Sequence, residues 1–269
     1  MPGPVHVLLT NDDGVHAPGL LAMRRALIAE GFLVTVCAPD RPRSASGHAI
    51  TLHKPLRCNA VSLADASPAW SCSGLPADCV LLAFSQFAPE SGRFDIVVSG
   101  INHGPNLGWD VTYSGTVAAA MESVIKGVPA IAVSMATYDP APHWETPARY
   151  VAGSLVDRTL RGGLPNATLL NVNAPNVPES ALRGVRVTRQ GERHYSDQHE
   201  ARVDPHGAPY YWLGGAPEDH DPAPGSDIEA VRDGYVSITP VHLDLTNPDF
   251  LEPLRGWGLE ETRDPIQPG

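Results

Sequence analysis

The sequence lacks a long hydrophobic run, since no uninterrupted apolar stretch reaches the roughly 20 residues that a membrane-spanning helix needs. Its first residues show no basic cluster followed by an apolar segment, so we expect neither a secretory signal nor a membrane partner. The chain has four cysteines, none in a CxxC pair and all in or beside apolar runs: Cys37, Cys58, Cys72 and Cys79. We therefore predict buried, reduced thiols and a cytoplasmic protein.

Basic residues are also scarce. Lys and Arg number 19 against 30 Asp and Glu, which gives a formal net charge of -11. A surface of this sign repels nucleic-acid backbones, so we predict that the protein does not bind nucleic acid. Small anionic substrates are not excluded, because a bound metal ion reverses the local field. The dinucleotide pattern GxGxxG is absent too, which disfavours a nicotinamide cofactor bound in the usual Rossmann manner.

Short apolar runs alternate with segments of helical spacing over the first two thirds of the chain. This alternation is typical of βαβ units around a parallel sheet, so we predict an α/β fold. The predicted strands are residues 5–9, 33–37, 94–99, 130–134 and 168–172. The predicted helices are residues 18–30, 76–87, 115–126 and 146–161, and a hairpin is predicted at 49–61.

The pattern changes after Asn173, and the prolines, 27 in the whole chain, are denser there. Strands are predicted at 185–188 and 235–239, and a long polar segment between them is typical of an arm, a lid or a mobile insertion. Its aromatic residues either stack on a ligand or pack the arm: Tyr195, Tyr210, Tyr211 and Trp212. We therefore divide the chain into a core, residues 1–180, and a C-terminal extension with an arm or hairpin, residues 181–269.

Two adjacent carboxylates, Asp12 and Asp13, follow the first predicted strand. Side chains of consecutive residues on a strand point to opposite faces, so the two converge only if the chain turns there, and Gly14 gives it that freedom. Carboxylates brought together repel each other, which raises a pKa or recruits a cation. The alternative is that Asp12 caps the following helix and Asp13 is a solvated neighbour.

The loops after the second and third predicted strands carry further oxygen-bearing side chains, including Ser44 and Asn102. In open α/β sheets such loops meet at the carboxyl ends of the strands, where ligands bind. Carboxylate, hydroxyl and amide oxygens form the shell that hard cations such as Mg²⁺ and Mn²⁺ prefer. Ser44 alone is more often a loop hydroxyl and Asn102 alone a turn former, so the prediction depends on the three loops together.

A second group of residues, Ser114, Gly115 and Thr116, opens an apolar helix. Free N–H groups and the helix dipole make a helix N-terminus a phosphate site, and the two hydroxyls add donors. Asn106, in the preceding glycine-rich loop, is positioned to donate its amide to the same anion. The alternatives are an ordinary helix cap and a turn-forming asparagine.

These stretches together resemble the SurE family of stationary-phase survival proteins, which are metal-dependent nucleoside-monophosphate phosphatases. The matching motifs occur in the family's order. They are N-D-D-G-V-H-A-P-G from Asn11, A-P-D-R-x-R-S from Ala38, V-S-G-I-N-x-G-P-N-L-G from Val98, Y-S-G-T-V-A-A-A-M-E from Tyr113 and G-S-D-I-E-A-V-R-D-G-Y-V-S-I-T-P from Gly225. The resemblance therefore covers most of the chain.

The resemblance implies a Rossmann-like three-layer fold with a mostly parallel sheet and a smaller C-terminal extension that mediates oligomerisation, part of it exchanged between subunits of a homodimer or homotetramer. It implies one divalent metal ion, Mg²⁺ or Mn²⁺, per subunit. The implied metal ligands are Asp12, Asp13, Ser44 and Asn102. The implied phosphate-binding residues are Asn106, Ser114, Gly115 and Thr116. Asp12, Asp13 and Asn106 are the predicted catalytic residues.

The predicted function is metal-dependent hydrolysis of nucleoside 5'-monophosphates, with 3'-monophosphates and short polyphosphate as further candidate substrates. Asp12 is also a candidate for positioning or deprotonating the attacking water. One alternative is an aspartyl-phosphate route with Asp12 or Asp13 as nucleophile, although such enzymes usually separate their two aspartates by one residue. An alternative of a different class is a non-catalytic nucleotide sensor.

Overall fold

A computed structural model describes residues 4–196, 198–218 and 223–260 of the protein. Its eleven strands are β1 (His6–Thr10), β2 (Leu33–Pro39), β3 (Cys58–Ser62), β4 (Pro68–Cys72), β5 (Ile96–His103), β6 (Ala130–Met135), β7 (Thr168–Ala174), β8 (Val185–Val187), β9 (Gln198–Val203), β10 (Pro209–Gly214) and β11 (Val236–His242). Nine of them form one sheet in the order β3-β4-β2-β1-β5-β6-β7-β11-β8, and β9 and β10 form a separate antiparallel pair.

Along the chain, every helix except the last lies between two strands, as βαβ units require. They are α1 (Pro18–Ala29), α2 (Pro76–Gln86), α3 (Gly115–Ile125), α4 (Glu145–Tyr150), α5 (Val156–Gly162), α6 (Asp227–Arg232) and α7 (Pro248–Arg255). A π-helical turn, Val151–Leu155, joins α4 to α5, so the helix predicted at 146–161 is present with a bulge in its middle. A short 3-10 turn, Gly108–Thr112, precedes α3.

The central strands β4-β2-β1-β5-β6-β7 run parallel. Successive residues of β1 face opposite sides of this sheet: Val7 and Leu9 pack in the core beneath α1, and Leu8 packs in the second core beneath α2 and α3. Burying each such side chain contributes about 1.5–3 kcal/mol. Helices on both faces of a mostly parallel sheet confirm the predicted three-layer α/β fold.

Two local predictions were wrong. The hairpin predicted at 49–61 is formed instead by β3 and β4, which pair antiparallel with Cys58 opposite Cys72. This register brings the two sulfurs together, and the structure joins them in a disulfide, whereas all four cysteines were predicted to be reduced. Cys37 and Cys79 are free and buried, as predicted.

Residues beyond 180 divide between the main sheet and an exposed arm. β11 pairs antiparallel with β7, and β8 pairs parallel with β11, so both extend the core sheet. β9 and β10 form the arm, and every residue of these two strands is exposed. The division at residue 180, the subunit exchange and the homodimer or homotetramer stay predictions. None of the helices in the three described ranges is long and apolar enough to cross a membrane.

Candidate functional site

The first loop of the site folds on itself through Asn11. Its side-chain nitrogen donates to the Gly14 carbonyl oxygen at 2.9 Å, and the Gly14 N–H donates back to its side-chain oxygen at 3.2 Å. Gly14 has φ +103°, a backbone conformation that L side chains rarely adopt. The turn that glycine was predicted to permit is therefore present directly after Asp12 and Asp13.

The start of α3 lies against Asp12. The Thr116 hydroxyl donates to Asp12 Oδ1, and both side chains are buried. A Cβ atom added at Gly115 would lie 2.8 Å from Asp12 Cβ, so this position admits no side chain without a shift of its neighbours. The carboxylate predicted to bind a cation and the helix end predicted to bind an anion are thus in direct contact.

Hydrogen bonds from two backbone N–H groups hold the other two loops on the first one. The Arg43 N–H donates to the Asp12 carbonyl oxygen at 2.7 Å, which places the neighbouring Ser44 beside the turn. The His103 N–H donates to Asp13 Oδ2 at 2.8 Å. Because β1, β2 and β5 are neighbours in the sheet, their carboxyl ends bring the three loops together as predicted.

Asn102 is oriented by its own loop. Its side-chain nitrogen donates to the Gly104 carbonyl oxygen at 2.9 Å, and its side chain is largely buried. With the nitrogen engaged, Oδ1 points away from that carbonyl and keeps its lone pairs for another partner.

Asn106 is held by the ends of β6 and β7. Its N–H donates to Asn173 Oδ1 at 2.8 Å, and its carbonyl oxygen accepts from the side-chain nitrogens of Asn171 and Asn173. Its own Nδ2 donates to Ser134 Oγ at 2.7 Å. An amide nitrogen carries two hydrogens, so the second one remains for a ligand. This clamp fixes the side chain that was predicted to bind phosphate.

Ser114 is the N-cap of α3. Its hydroxyl oxygen accepts the Val117 N–H at 3.1 Å, which leaves the hydroxyl hydrogen available to a ligand. The Thr116 hydroxyl was predicted to be a donor to phosphate, but in the structure it donates to Asp12. In this arrangement a phosphate contact by Thr116 would use the backbone and not the hydroxyl.

A cleft of about 310 Å³ opens at this end of the sheet. Five of the predicted residues line it: Asp12, Ser44, Asn102, Asn106 and Ser114. Asp13, Gly115 and Thr116 support its wall through the contacts described above. The cleft therefore places predicted metal ligands and predicted phosphate donors on one surface.

The electrostatics of the two carboxylates favour a cation. Burial raises the pKa of Asp12 to about 6. The hydrogen bond from the Thr116 hydroxyl lowers this pKa, and the neighbouring Asp13 carboxylate raises it. Burial also raises the pKa of Asp13, while the hydrogen bond from the His103 N–H lowers it. A cation between the loops would offset this cost of ionisation. The all-oxygen donor set thus fits a hard divalent ion.

Asp227, at the start of α6, joins the loop after β5 to the base of the arm. It is fully buried, and its carboxylate accepts the N–H groups of Gly108, Gly191 and Ile228, each at 2.9 Å. Burial raises its pKa, and these hydrogen bonds oppose the shift. One carboxylate therefore fixes the position of Gly108, two residues after Asn106.

Replacing Asp227 by alanine is expected to lower the free energy of unfolding by about 2–4 kcal/mol, since three buried N–H groups lose their acceptor. Denaturant unfolding measures the change. The control is Asp233→Ala, which removes a half-buried carboxylate at the surface that pairs with Arg186 at 2.9 Å. Such surface pairs contribute about 0–1 kcal/mol. Equal effects of the two substitutions would contradict the role assigned to Asp227.

The family profile described as Survival protein SurE matches residues 7–197. The 5'-nucleotidase SurE of Symbiobacterium thermophilum is 49% identical over 255 residues, covering 94% of this chain and 98% of that protein. The 5'-nucleotidase SurE of Geobacter sulfurreducens is 46% identical over 259 residues, covering 96% of each. The crystal structure of the SurE protein from Aquifex aeolicus superposes with a TM-score of 0.81 at 40% identity, covering 94% of this chain and 99% of that chain.

The chain belongs to the SurE family. The resemblance predicted from the sequence motifs is confirmed, and the fold agrees with that of the solved SurE protein. The predicted 5'-nucleotidase activity agrees with the name that the curated SurE relatives carry. The metal ligands, phosphate contacts and catalytic roles are not tested by these similarities and stay predictions.

Asp110 and Tyr138 line the cleft, although neither was predicted for the site. Tyr195, from the base of the arm, lines it as well, and stacking on a ligand was one of the two roles predicted for this residue. Ser134 and Asn173 position Asn106 without lining the cleft. The only sequence signal for these two is a polar residue within an otherwise apolar buried strand, because such a residue needs a partner.

Proposed function

We propose that this protein is a phosphoric monoester hydrolase that cleaves nucleoside 5'-monophosphates with the help of one divalent cation. The observation that carries the proposal is the contact between Asp12 and the start of α3, through Thr116 and Gly115. A cation site and an anion site that touch each other suit a substrate whose phosphate bridges them. Phosphate binding alone needs only the helix end.

Each residue of the cleft has a role in this proposal. Asn106 and the Ser114 hydroxyl donate hydrogen bonds to phosphate oxygens, and the positive end of the α3 dipole favours the negative charge. These donors are already held in place, by Ser134 and by the Val117 N–H respectively, so little reorganisation is needed as charge develops on the phosphate.

The cation would be held by Asp12, Asp13, Ser44 and Asn102. When bound, it supplies charge neutralisation for the phosphate and lowers the pKa of a water molecule. The chain's own contribution is to hold the four oxygen donors on three loops that are joined by the Arg43 and His103 N–H groups. Mg²⁺ and Mn²⁺ both suit this donor set.

An activity screen tests the proposal. Phosphate release is measured from AMP, GMP, 3'-AMP and short polyphosphate, with Mg²⁺, with Mn²⁺ and after exhaustive chelation. We expect turnover of the 5'-monophosphates, a loss of about 100-fold or more on chelation, and recovery when the metal is returned. Full activity in the metal-free protein would refute the metal dependence. Stabilisation by AMP without phosphate release would favour a nucleotide sensor.

Borohydride trapping separates direct attack from the aspartyl-phosphate route. A covalent intermediate on Asp12 or Asp13 is an acyl phosphate, which borohydride reduces to homoserine during turnover. Direct attack of water on the substrate leaves both aspartates unchanged. We propose direct attack, because Asp12 and Asp13 are adjacent, whereas enzymes that form an aspartyl phosphate usually separate their two aspartates by one residue.

A further inference from the structure

Three tyrosines line the cleft that holds the predicted site residues: Tyr113, Tyr138 and Tyr195. They come from three different segments, the turn before α3, the loop after β6 and the base of the arm. Their exposed fractions are 66%, 73% and 46%, so their ring surface is presented to the cleft and to solvent and not to the core. Ring surface of this kind is available to an aromatic ligand.

Tyr195 is fixed in place by Asp110. Its hydroxyl donates to Asp110 Oδ2 at 2.8 Å, and Arg193 donates to the same oxygen at 3.0 Å. The Asp110 carbonyl oxygen accepts the Ser114 N–H at 3.1 Å. The position of the Tyr195 ring is therefore tied, through one residue, to the helix end that we propose binds phosphate.

Tyr138 packs on the loop that carries Asn102 and Asn106. A Cβ atom added at Gly104 would lie 2.6 Å from Tyr138 Cε1, so the ring rests directly on the glycine backbone. Tyr138 and Tyr195 line the same cleft, so two aromatic rings face one space. Burial and the Asp110 hydrogen bond raise the pKa of Tyr195, so its ring is neutral at pH 7.

We propose that Tyr195 and Tyr138 form the subsite for the nucleobase of the substrate. This inference rests on the proposed function, which places the phosphate at Asn106 and Ser114. A cleft of about 310 Å³ is large enough for a ligand of nucleotide size. Aromatic rings bind the flat face that purines and pyrimidines share, so the subsite favours nucleotides over sugar phosphates with little choice among bases.

The test compares kcat/KM for AMP with kcat/KM for ribose 5-phosphate, which shares the phosphate and the sugar but lacks the base. Tyr195→Ala is expected to lower kcat/KM for AMP about tenfold, through KM, and to change that for ribose 5-phosphate less than about twofold. Tyr138→Ala is expected to act in the same direction. Tyr195→Phe keeps the ring and is expected to retain most of the preference for AMP.

Tyr211→Ala is the matched control, because it removes an arm tyrosine that is 66% exposed and lies on β10, outside the cleft. We expect it to leave both substrates within about twofold of the wild-type values. An equal loss for both substrates in Tyr195→Ala would overturn the subsite, since it would show a structural role of the arm. An unchanged AMP preference would overturn it as well.

Failure of the proposed function gives a result that differs from failure of the subsite, because the wild-type protein would then hydrolyse neither substrate. In that case, calorimetric affinities of AMP and ribose 5-phosphate replace the rates. Weaker AMP binding by Tyr195→Ala, with unchanged binding of ribose 5-phosphate, would then support the subsite in a non-catalytic protein. Equal affinities of the wild type for the two ligands would overturn it.

Discussion

Replacing Asp12 by asparagine is expected to lower kcat for AMP by about 10³-fold or more, equivalent to about 4 kcal/mol in the barrier. The substitution keeps the shape of the side chain, and its amide oxygen can still accept the Thr116 hydroxyl bond. It removes the negative charge at the point where the loops that carry the predicted metal ligands meet the start of α3. Initial-rate kinetics over a range of Mn²⁺ concentrations measure the loss.

The same substitution is expected to leave the melting temperature unchanged or raised. Burial of Asp12 makes its ionised form costly in the metal-free protein, and a neutral amide avoids that cost. A loss of activity without a loss of stability separates a catalytic role from misfolding. It is also the pattern expected of a residue retained for function.

Asp157→Asn is the control for this experiment, because it removes a carboxylate from an exposed pair with Arg161 on α5. It is expected to leave kcat within about twofold of wild type. Mn²⁺ affinity, measured by electron paramagnetic resonance, should fall in Asp12→Asn and stay constant in Asp157→Asn. Wild-type turnover by Asp12→Asn at saturating metal would contradict the proposed mechanism.

The core of the fold was predictable because its signals are local. Apolar runs such as residues 94–99 and the helical spacing of residues 18–30 each identify an element without knowledge of its partners. Parallel strands then place their carboxyl ends at one edge, which brings the turn after Asp13 next to Ser44 and Asn102. The residues that these three loops bring together were therefore predictable, although their hydrogen bonds were not.

The elements that were predicted wrongly or missed depend on residues that are far away along the chain. β5 continues to His103, through residues predicted to form a loop, because it pairs with β6 as far as Met135. In the hairpin of β3 and β4, β4 is joined to the main sheet by its parallel pairing with β2, more than 30 residues earlier in the chain. The bond from Tyr195 to Asp110 spans 85 positions, so no local pattern indicates it.

The clamp around Asn106 illustrates the same limit within the site. Asn173 is a polar residue in a buried strand, and its sequence neighbours give no reason for its presence. The reason is the backbone of Asn106, whose N–H and carbonyl groups it satisfies across 67 positions. Sequence reasoning could name Asn106 as a phosphate donor but not explain how it is held.

Replacing Asn106 by aspartate is expected to lower kcat/KM for AMP by about 10³-fold or more while the protein stays folded. The new carboxylate has nearly the same shape, and the Ser134 hydroxyl can reverse its role and donate to it, so the contact at 2.7 Å is preserved. The side chain would, however, present a negative charge to a dianionic phosphate. Like charges brought together in a desolvated site cost several kcal/mol.

Ser134→Ala is the matched variant, because it removes the partner of Asn106 and leaves the amide itself in place. We expect kcat/KM for AMP to fall about tenfold, because the Asn106 amide keeps its N–H groups but loses the contact that orients them. Substrate kinetics and denaturant unfolding on the three proteins separate the effects. If Asn106→Asp and Ser134→Ala lost activity equally, Asn106 would act by supporting the loop and not by binding the phosphate.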